Sequence, residues 1–409
     1  MAKLSIQDIS CEGQRVIVRV DFNVPLENKQ SHPTIADDTR IRAALPTLTH
    51  LLKQNAIIIL VSHLGRPKGK IDTHQSLRSI GIRLNELLDH PVAFIHHDLM
   101  KPQDYEEVQS ILAHAKPGQI FLLENIRFYP GEEKNDPDLG KRLAALGDIY
   151  INDAFGAAHR AHASTEAIAR FSKKAVSGFL MQKELQFLSE AVEEPAKPFV
   201  VILGGAKVSD KINVIDRLIE KADTILIGGG MAYTFQYALG KGIGDSLCEP
   251  DKKEVALAAI KKAKQKQISF LLPEDNLIVD QLDFSKKSVG QSRFTQPGEA
   301  IPDSWQGVDI GPKTIKRYQQ EIAKAKTILW NGPMGVFEIA ACAQGTFAIA
   351  QVVAKNNQAT SIVGGGDSIK AIKQAGVKDK ITFISTGGGA SLELLEGKTL
   401  PGVAALNDK

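Results

Sequence analysis

The stretch Ile57–Lys70, IIILVSHLGRPKGK, decides the fold, because a fully apolar run ends at once in polar and cationic residues. Five consecutive apolar residues without alternation are typical of a strand buried on both faces of a parallel sheet. His63, Gly65 and Arg66 follow within the next five residues. Because ligands of open α/β sheets bind beyond the carboxyl ends of the strands, this stretch predicts a small anion held at the sheet edge.

Similar apolar runs recur along the whole chain and alternate with segments of helical spacing such as Lys253–Lys266. This alternation predicts the α/β class, with parallel sheets covered by helices on both faces. The predicted strands are Arg15–Val20, Ala56–Val61, Gln119–Leu123, Asp148–Asn152, Phe199–Leu203, Asp223–Ile227, Ile268–Leu272, Thr327–Trp330 and Thr360–Gly364.

Length and composition indicate a cytosolic protein of two domains. The chain has 409 residues, 43% of them hydrophobic and 24% charged, with a net charge of +3 and no basic tract, so no nucleic-acid partner is predicted. Three separate cysteines indicate a reducing compartment without a zinc site. No signal core or membrane-length apolar run is present, so no membrane contact is predicted. A helical segment before a Pro-containing break, Met181–Pro198, is the expected interdomain connector.

The two halves of the chain carry different chemistry. All ten histidines lie at or before His162, and most arginines also lie in the first half. The second half instead carries glycine clusters. Guanidinium groups bind carboxylate and phosphate in a bidentate manner, whereas glycine lets backbone N–H groups approach phosphate closely. The sequence therefore predicts two anionic ligands, one for each domain.

Cationic residues follow several predicted strands of the first half. They are His63, Arg66, Arg127, His159, Arg160 and His162, and Arg40 at the start of a helix extends the same set. A single arginine of this kind is usually a surface ion pair. The convergence of several on one sheet edge favours an anion site instead.

Glycine clusters follow the strands of the second half. Turn chemistry alone explains isolated glycines, but SIVGGGDSIKAI has the form of a phosphate site, with a helix capped by Asp367 or Ser368. Lys207 and Lys211 are four residues apart, so we predict that they lie on one face of the first turns of a helix. Two ammonium groups placed together favour a polyphosphate ligand. The alternative is that both lysines are simply solvated at the surface. Neither the dinucleotide fingerprint nor a P-loop occurs, which disfavours an oxidoreductase of the Rossmann type.

Nine motifs, in order along essentially the whole chain, resemble the phosphoglycerate kinase family. They are RVDFNVP, SHLGRP, LLENIRF, INDAFGAAHRAHAS, GGAKVSDKI, IGGGMAYTF, WNGPMGVFE, GGGDS and STGGGASLELLEGKTLPGV. The resemblance implies two Rossmann-like domains with parallel sheets joined by a hinge helix. It places a 3-phosphoglycerate-binding domain at residues 1–182 and a nucleotide-binding domain, beginning with the connecting helix, at residues 183–395. It also implies a tail, residues 396–409, that packs back on the first domain.

The resemblance also implies a role for individual residues. Those expected to bind 3-phosphoglycerate are Asp21, Phe22, Asn23, Arg40, His63, Leu64, Gly65, Arg66, Arg127, Arg160 and His162. Those expected to bind the nucleotide are Lys207, Lys211, Gly228, Gly311, Glu338, Gly364, Gly365, Gly366, Asp367 and Ser368. Catalytic roles are expected for Arg40, Lys207, Lys211, Gly387, Gly388 and Gly389, and Asp367 is the expected magnesium-linked acid.

The implied reaction is phosphoryl transfer from 1,3-bisphosphoglycerate to ADP, which gives 3-phosphoglycerate and ATP, with Mg²⁺, in a cytoplasmic monomer that bends at its hinge. A carboxylate is already a nucleophile, so a strong general base is not required, and alignment and charge stabilisation suffice. This agrees with the abundance of Arg, Lys and glycine. A non-catalytic anion- or nucleotide-binding protein on the same fold remains the alternative.

Overall fold

The computed structural model describes residues 3–29 and 32–409 and divides them into two compact units. The first contains residues up to Leu185 together with Lys398–Lys409, and the second contains Gln186–Gly397. Each unit is built on one six-stranded sheet. No helix in the described ranges is both long and apolar enough to cross a lipid bilayer.

The first unit alternates strands with helices. Its strands are β1 (Arg15–Val20), β2 (Leu26–Lys29), β3 (His32–Ile35), β4 (Ile57–Val61), β5 (Val92–Ile95), β6 (Ile120–Leu123), β7 (Ile149–Asp153) and β8 (Ala175–Ser177). Its helices before the boundary are α1 (Thr39–Lys53), α2 (Arg78–Leu88), α3 (Pro102–Ala113), α4 (Pro137–Ala144), α5 (Ile168–Phe171) and α6 (Phe179–Leu185). A π-helical segment, Ala163–Ala167, leads into α5.

All strands of the first sheet are parallel, in the order β5-β6-β4-β1-β7-β8. Successive side chains point to opposite faces, so Val16 and Val18 pack in one apolar cluster and Ile17 packs in the other. Arg19 follows Ile17 on the second face and is 1% exposed. A buried charge needs hydrogen-bonding partners. Arg19 is near the carboxyl end of β1, and ligands of open α/β sheets bind beyond such strand ends.

The second unit repeats this plan. Its strands are β9 (Phe199–Leu203), β10 (Thr224–Ile227), β11 (Ser269–Leu271), β12 (Asn276–Val279), β13 (Leu282–Asp283), β14 (Ser288–Val289), β15 (Ser292–Phe294), β16 (Gln306–Ile310), β17 (Thr327–Asn331), β18 (Thr360–Gly364) and β19 (Phe383–Ile384). A π-helical segment, Gln186–Glu190, precedes the helices α7 (Ala191–Glu193), α8 (Ile212–Leu218), α9 (Met231–Ala238), α10 (Lys253–Gln265), α11 (Pro312–Lys324), α12 (Gln344–Lys355), α13 (Gly366–Gln374) and α14 (Gly389–Leu395). The tail carries α15 (Pro401–Ala404).

The main sheet of the second unit is also parallel, in the order β11-β10-β9-β17-β18-β19. Trp330 and Tyr318 are its largest wholly buried side chains and belong to a cluster with Ile202 and Val363. A smaller antiparallel sheet, β15-β12-β16, is formed by the chain between β11 and β17, and its last strand ends at Ile310, directly before Gly311.

The predicted α/β class with two parallel sheets is confirmed, and each predicted strand is present to within two residues at its ends. The prediction missed the short edge strands β5, β8 and β19 and the antiparallel sheet. Apart from β16, these strands have four residues or fewer, too short to give a distinct apolar period. The hinge stays a prediction.

Asp309 on β16 is a buried acid with an unusual titration. It is 2% exposed, and its carboxylate accepts hydrogen bonds from the N–H groups of Ile310 (2.9 Å) and Gly345 (2.6 Å). Burial raises the pKa of Asp309 from 3.8 to about 7, although the two hydrogen bonds oppose the rise. The folded protein therefore binds this proton more tightly than the unfolded chain does. The contribution of Asp309 to the free energy of unfolding should fall as the pH rises through this interval.

Replacing Asp309 by asparagine tests this titration, because the amide side chain keeps an acceptor oxygen but cannot ionise. We expect the stability of Asp309→Asn relative to wild type to be higher at pH 8 than at pH 4.5, by about 2–4 kcal/mol. Urea unfolding followed by tryptophan fluorescence measures the free energy of unfolding at each pH. The signal reports on the unit that contains Asp309, since both tryptophans, Trp305 and Trp330, lie in the second unit. An equal difference at the two pH values would show that Asp309 titrates normally.

Candidate active site

The strand order of each sheet indicates its ligand-binding edge. In the first sheet the order reverses between β1 and β7, and in the second between β9 and β17. The loops that leave the carboxyl ends of such strands form a crevice, which is where open α/β sheets bind ligands.

In the first unit, cationic side chains from three loops gather at this edge. His63 follows β4, Arg127 lies on a short 3₁₀ turn after β6, and Arg160 and His162 follow β7. Arg19, Arg127, Arg40 and His162 all act electrostatically on His63. The charges of Arg19 and Arg160 act on Arg127 as well. Arg40, His63, Arg127, Arg160 and His162 therefore lie close together, and Arg19 joins them; their role as an anion site stays a prediction.

Asn125 joins two of these loops. It is fully buried, and its Nδ2 donates to the carbonyl oxygens of Leu64 (2.7 Å) and Gln75 (2.8 Å). Its Oδ1 accepts from the N–H groups of Leu64 (3.2 Å) and Arg127 (3.1 Å). Arg127 Nη1 in turn donates to the carbonyl oxygen of Gly65 at 2.7 Å. The backbone of the SHLGRP segment is thus fixed against the turn that carries Arg127.

Arg40 enters from the first turn of α1. Its Nη1 lies 3.1 Å from Asp21 Oδ2 and donates to the carbonyl oxygen of Asn23 at 3.0 Å. Asn23 Oδ1 also accepts from the N–H of Gly65 at 2.9 Å. Asp21 and Asn23 follow β1, so they hold Arg40 at the same edge as the SHLGRP segment, while a third of its side chain stays exposed.

Both buried histidines of this cluster are held neutral. Burial and then the charge of Arg19 keep the pKa of His63 well below its usual range. Burial and the charge of Arg127 lower the pKa of His162 from 6.5 to about 4. His162 Nδ1 is a buried atom without a hydrogen-bond partner in the described part of the chain. The positive charge of the cluster therefore comes from its arginines, and the imidazoles contribute hydrogen-bonding groups.

In the second unit, backbone packs on backbone at the sheet edge. A Cβ at Gly204 would lie 1.9 Å from the carbonyl oxygen of Pro333, and one at Gly332 would lie 2.2 Å from the carbonyl oxygen of Gly204. Only glycine allows this approach. Gly332 is fixed further by Ser368 Oγ, which accepts from its N–H at 2.6 Å, and by Trp330 Nε1, which donates to its carbonyl oxygen at 2.7 Å.

Lys211 lies beside these glycines and is buried. Its Nζ donates to Asn331 Oδ1, and a Cβ at Gly364 or Gly365 would lie 3.4 Å from the side-chain nitrogen of Asn331. Burial lowers the pKa of Lys211 from 10.5 to about 8, while the charges of Asp210 and Asp367 oppose this. The ammonium group is thus close to the glycine loop that follows β18, with acidic groups within electrostatic range.

Two further predicted glycines are positioned by acids or hydroxyls. Gly311, which precedes α11, donates its N–H to the carbonyl oxygen of Asp275 at 2.9 Å, and the Asp275 carboxylate accepts from two N–H groups in the first turn of that helix. Gly387 donates its N–H to Ser385 Oγ at 3.1 Å, just before α14 begins. Ser385 in turn pairs with β18 through its N–H.

Comparison with known proteins gives a family. The sequence profile of the phosphoglycerate kinase family matches residues 6–398. A phosphoglycerate kinase of Acidobacterium capsulatum is 55% identical and one of Chlorobium limicola is 51% identical, each over the full length of both chains. The structure of phosphoglycerate kinase from Coxiella burnetii is similar with a TM-score of 0.89 and 40% identity over 98% of each chain. The chain belongs to the phosphoglycerate kinase family.

Family membership makes the protein a kinase and a transferase of glycolysis, which transfers a phosphoryl group to a carboxyl group and uses ATP and ADP. A more distant relative, phosphoglycerate kinase from Pyrococcus horikoshii, keeps the same architecture, with a TM-score of 0.79 at 32% identity over 98% of each chain. The predicted family and activity are confirmed.

Two local predictions about the glycine edge are wrong. Lys207 and Lys211 do not share a helix face, because α8 begins only at Ile212, and Lys207 is exposed in the preceding loop whereas Lys211 is buried. Asp367 and Ser368 do not cap α13. They lie inside its first turn, and the capping residue is Gly365, whose φ of 91° favours glycine.

Two of the predicted site residues have buried apolar side chains, and two others have exposed charged side chains. Phe22 and Leu64 lie in the apolar core, so only their backbone faces the edge. Arg66 and Glu338 are exposed, and neither makes an ion pair with a described residue. Arg66 is thereby free to meet an anion.

Sequence reasoning missed the buried partners that support the cluster. Arg19, Glu132 and Ser164 are almost inaccessible to solvent, and Ser164 is hydrogen-bonded to both of the others. The one local signal was a charged residue inside the apolar strand RVIVRV, since a buried strand excludes an arginine unless it has a specific partner.

Proposed function

We propose that the first unit binds 3-phosphoglycerate and the second binds the adenine nucleotide. The observation that carries the first assignment is the convergence of Arg40, His63, Arg127 and His162 on one sheet edge. Guanidinium groups suit both ends of this substrate, a phosphate and a carboxylate. Arg160 and Arg66 add exposed guanidinium groups from neighbouring loops.

For the nucleotide, the support is the glycine loop that leads into α13. The glycines after β9, β10 and β17 pack tightly against neighbouring backbone and shape this edge, whereas Gly365 and Gly366 begin α13, whose positive helix end suits a phosphate. Lys211 and Lys207 supply positive charge from the loop after β9. Gly311, which Asp275 fixes, and Glu338 are assigned to the adenosine side.

In the proposed step, a carboxylate oxygen of 3-phosphoglycerate attacks the γ-phosphorus of ATP, and the bond from that phosphorus to the bridging oxygen of ADP breaks. The reverse step forms ATP in glycolysis. No proton is transferred, so no general base is needed. Arg40, Lys211 and the N–H groups of Gly388 and Gly389 stabilise charge on the transferring group, while the N–H of Gly387 is donated to Ser385 Oγ and fixes the loop.

The residues present fit Mg²⁺ as a cofactor that the nucleotide brings. No three His, Cys, Asp or Glu side chains in residues 3–29 and 32–409 form a metal-binding group. Magnesium takes one or two carboxylates and completes its shell with water and phosphate oxygens, so a single acid is sufficient. Asp367 is more than half exposed, and its one ion-pair partner among the described residues is Lys370 at 3.0 Å. When bound, the ion would neutralise phosphate charge.

Asp367→Asn tests the metal assignment without an activity measurement. We expect the variant to bind Mg-ADP about tenfold or more weakly, because a hard cation loses its protein carboxylate. Affinity for metal-free ADP should change little, and the melting temperature should stay close, since the lost helix-end charge is worth about 0.3–1 kcal/mol. Calorimetric titration with and without Mg²⁺ measures both affinities. Asp379→Asn, an exposed acid of the same unit, is the control. Equal weakening of both forms of ADP would contradict a metal role.

A coupled assay tests the proposed reaction as a whole. The purified chain, supplied with 3-phosphoglycerate, ATP and Mg²⁺, should consume ATP only when 3-phosphoglycerate is present. Binding of both ligands without turnover would instead favour a non-catalytic binding protein. We further propose a cytoplasmic monomer, which sedimentation at micromolar concentration would test, since both substrates are small soluble metabolites and no protein partner is required.

A further inference from the structure

A chain of buried hydrogen bonds ends at the substrate edge of the first unit, behind the residues assigned to the substrate. It begins at Glu132, which is 0% exposed. The Glu132 carboxyl group accepts from Ser164 Oγ at 2.6 Å and from the N–H of Ser164 at 2.9 Å. Burial raises the pKa of Glu132, and the charge of Arg19 opposes the rise most strongly.

Ser164 connects this acid to Arg19. Since its hydroxyl hydrogen is directed to Glu132, its oxygen is free to accept, and Arg19 Nε donates to it at 2.9 Å. Arg19 Nη1 donates to the carbonyl oxygen of Val20. The remaining arm, Nη2, lies 3.0 Å from Nδ1 of His63. The guanidinium group is thus held at three of its nitrogens.

The last contact decides the state of His63. Arginine can only donate hydrogen bonds, so His63 Nδ1 must accept, and the ring proton must be on Nε2. Protonation of Nδ1 would place two donors against each other. No hydrogen-bond partner for Nε2 is found among the described residues, so this N–H is available to a ligand.

We propose that Glu132, Ser164 and Arg19 are positioning residues that hold His63 as the neutral Nε2–H tautomer, so that it presents one fixed N–H to the anionic substrate. The opposite tautomer would turn a lone pair toward the anion and lose the donor. The proposal rests on the assignment of 3-phosphoglycerate to this unit. It adds a buried relay whose members do not themselves touch the ligand.

The charge pattern supports this relay. Arg19, Arg40, Arg127 and His162 surround His63, and no acid is among the groups that act most strongly on it. An uncompensated arginine in the interior would be strongly destabilising. Glu132 supplies the buried acid beside Arg19, and hydrogen bonds connect it to His63 through Ser164 and Arg19, while its carboxylate also lies 3.8 Å from Nδ1 of His162. The acid therefore balances the arginine without contacting, and so without protonating, the imidazole of His63.

Nuclear magnetic resonance of the full chain labelled with ¹⁵N-histidine tests the proposal. Long-range ¹H–¹⁵N correlations distinguish the two neutral tautomers and the imidazolium form, and His63→Gln identifies the signal among ten histidines. In the wild type at pH 7 we expect the pure Nε2–H pattern. An Nδ1–H or imidazolium pattern would overturn the proposal, whatever the variants do.

Three variants then test the relay. In Arg19→Met and Glu132→Gln we expect His63 to be a mixture of both neutral tautomers. The KM for 3-phosphoglycerate should rise by about 10- to 100-fold, because one hydrogen bond to a charged group is lost. The KM for ATP should stay within about twofold, because the nucleotide is bound elsewhere. Ser164→Ala removes the link without changing any charge and should alter the tautomer pattern in the same direction.

Ser172→Ala, a nearby serine whose hydroxyl donates to the carbonyl oxygen of Ile168, is the matched control and should leave the pattern unchanged. The relay would be overturned if His63 kept the pure Nε2–H pattern in Ser164→Ala and in those of the variants Arg19→Met and Glu132→Gln that fold. If wild-type His63 is Nε2–H but its signals do not respond to 3-phosphoglycerate, the substrate assignment fails and the relay stands. The two failures are therefore distinguishable.

Discussion

Arg40→Ala should lower kcat by about 10³- to 10⁵-fold, which is the effect of an arginine that stabilises a phosphoryl-transfer transition state. This corresponds to roughly 4–7 kcal/mol of activation free energy. Negative charge develops on the transferring group only in the transition state, so KM for 3-phosphoglycerate and ATP should change little. Asp21 and the carbonyl oxygen of Asn23 aim the guanidinium group before any ligand binds. Arg40→Lys should also be impaired, because a point charge lacks the planar fork.

Arg42 provides the matched control for Arg40. It lies on the same helix two residues later, is more than half exposed, and pairs with Asp38 at 2.9 Å. Since exposed pairs contribute little, Arg42→Ala should keep kcat and KM within about twofold. Arg127→Ala should weaken 3-phosphoglycerate binding more than it slows the chemical step. Steady-state kinetics measures all four variants. A raised KM with kcat preserved in Arg40→Ala would show that Arg40 only binds substrate.

Lys211→Ala should lower kcat by about 10²- to 10³-fold, comparable with the loss of one preorganised donor to developing charge, or about 2.7–4 kcal/mol. Lys211 is buried beside Asn331 and the glycine loop after β18, where low polarity strengthens its interaction with phosphate. Lys207 is exposed, so Lys207→Ala should cost about tenfold or less. A larger loss in Lys207→Ala than in Lys211→Ala would contradict this ranking.

The pH profile gives an independent test of Lys211. Burial lowers its pKa to about 8, so the ammonium form is lost as the pH rises through that value. Because kcat/KM reports groups of the free enzyme, it should decline above about pH 8. Lys211→Arg keeps its charge at all these pH values, so this decline should disappear even though the overall rate is lower. A decline that persists unchanged in Lys211→Arg would assign it to another group.

The parallel sheets could be predicted because continuous apolar runs such as Ile57–Val61 have a local cause in burial on both faces. The start of α8 could not be predicted from spacing. Ser209, two residues before Lys211, donates its N–H and its hydroxyl to Glu249, a residue 40 positions later. This tertiary contact holds the loop open, so the helix begins only at Ile212 and the two lysines separate.

The same limit applies to the site. Side chains at strand ends, such as His63 and Arg127, could be predicted, since the topology of a parallel sheet brings such ends together. Their buried support could not. Arg19 meets Ser164, which is 145 residues away, and Ser164 meets Glu132, 32 residues away. A charged residue inside a strand indicates that a partner exists, but only the folded chain identifies it.

Calorimetric titration of Arg160→Ala with each substrate tests most directly the central claim that the two units bind different substrates. Arg160 has an exposed side chain, so the variant should fold normally. We expect its affinity for 3-phosphoglycerate to fall by about 10- to 100-fold relative to wild type, with ADP affinity within about twofold. Unchanged 3-phosphoglycerate affinity, or an equal loss for ADP, would contradict the account.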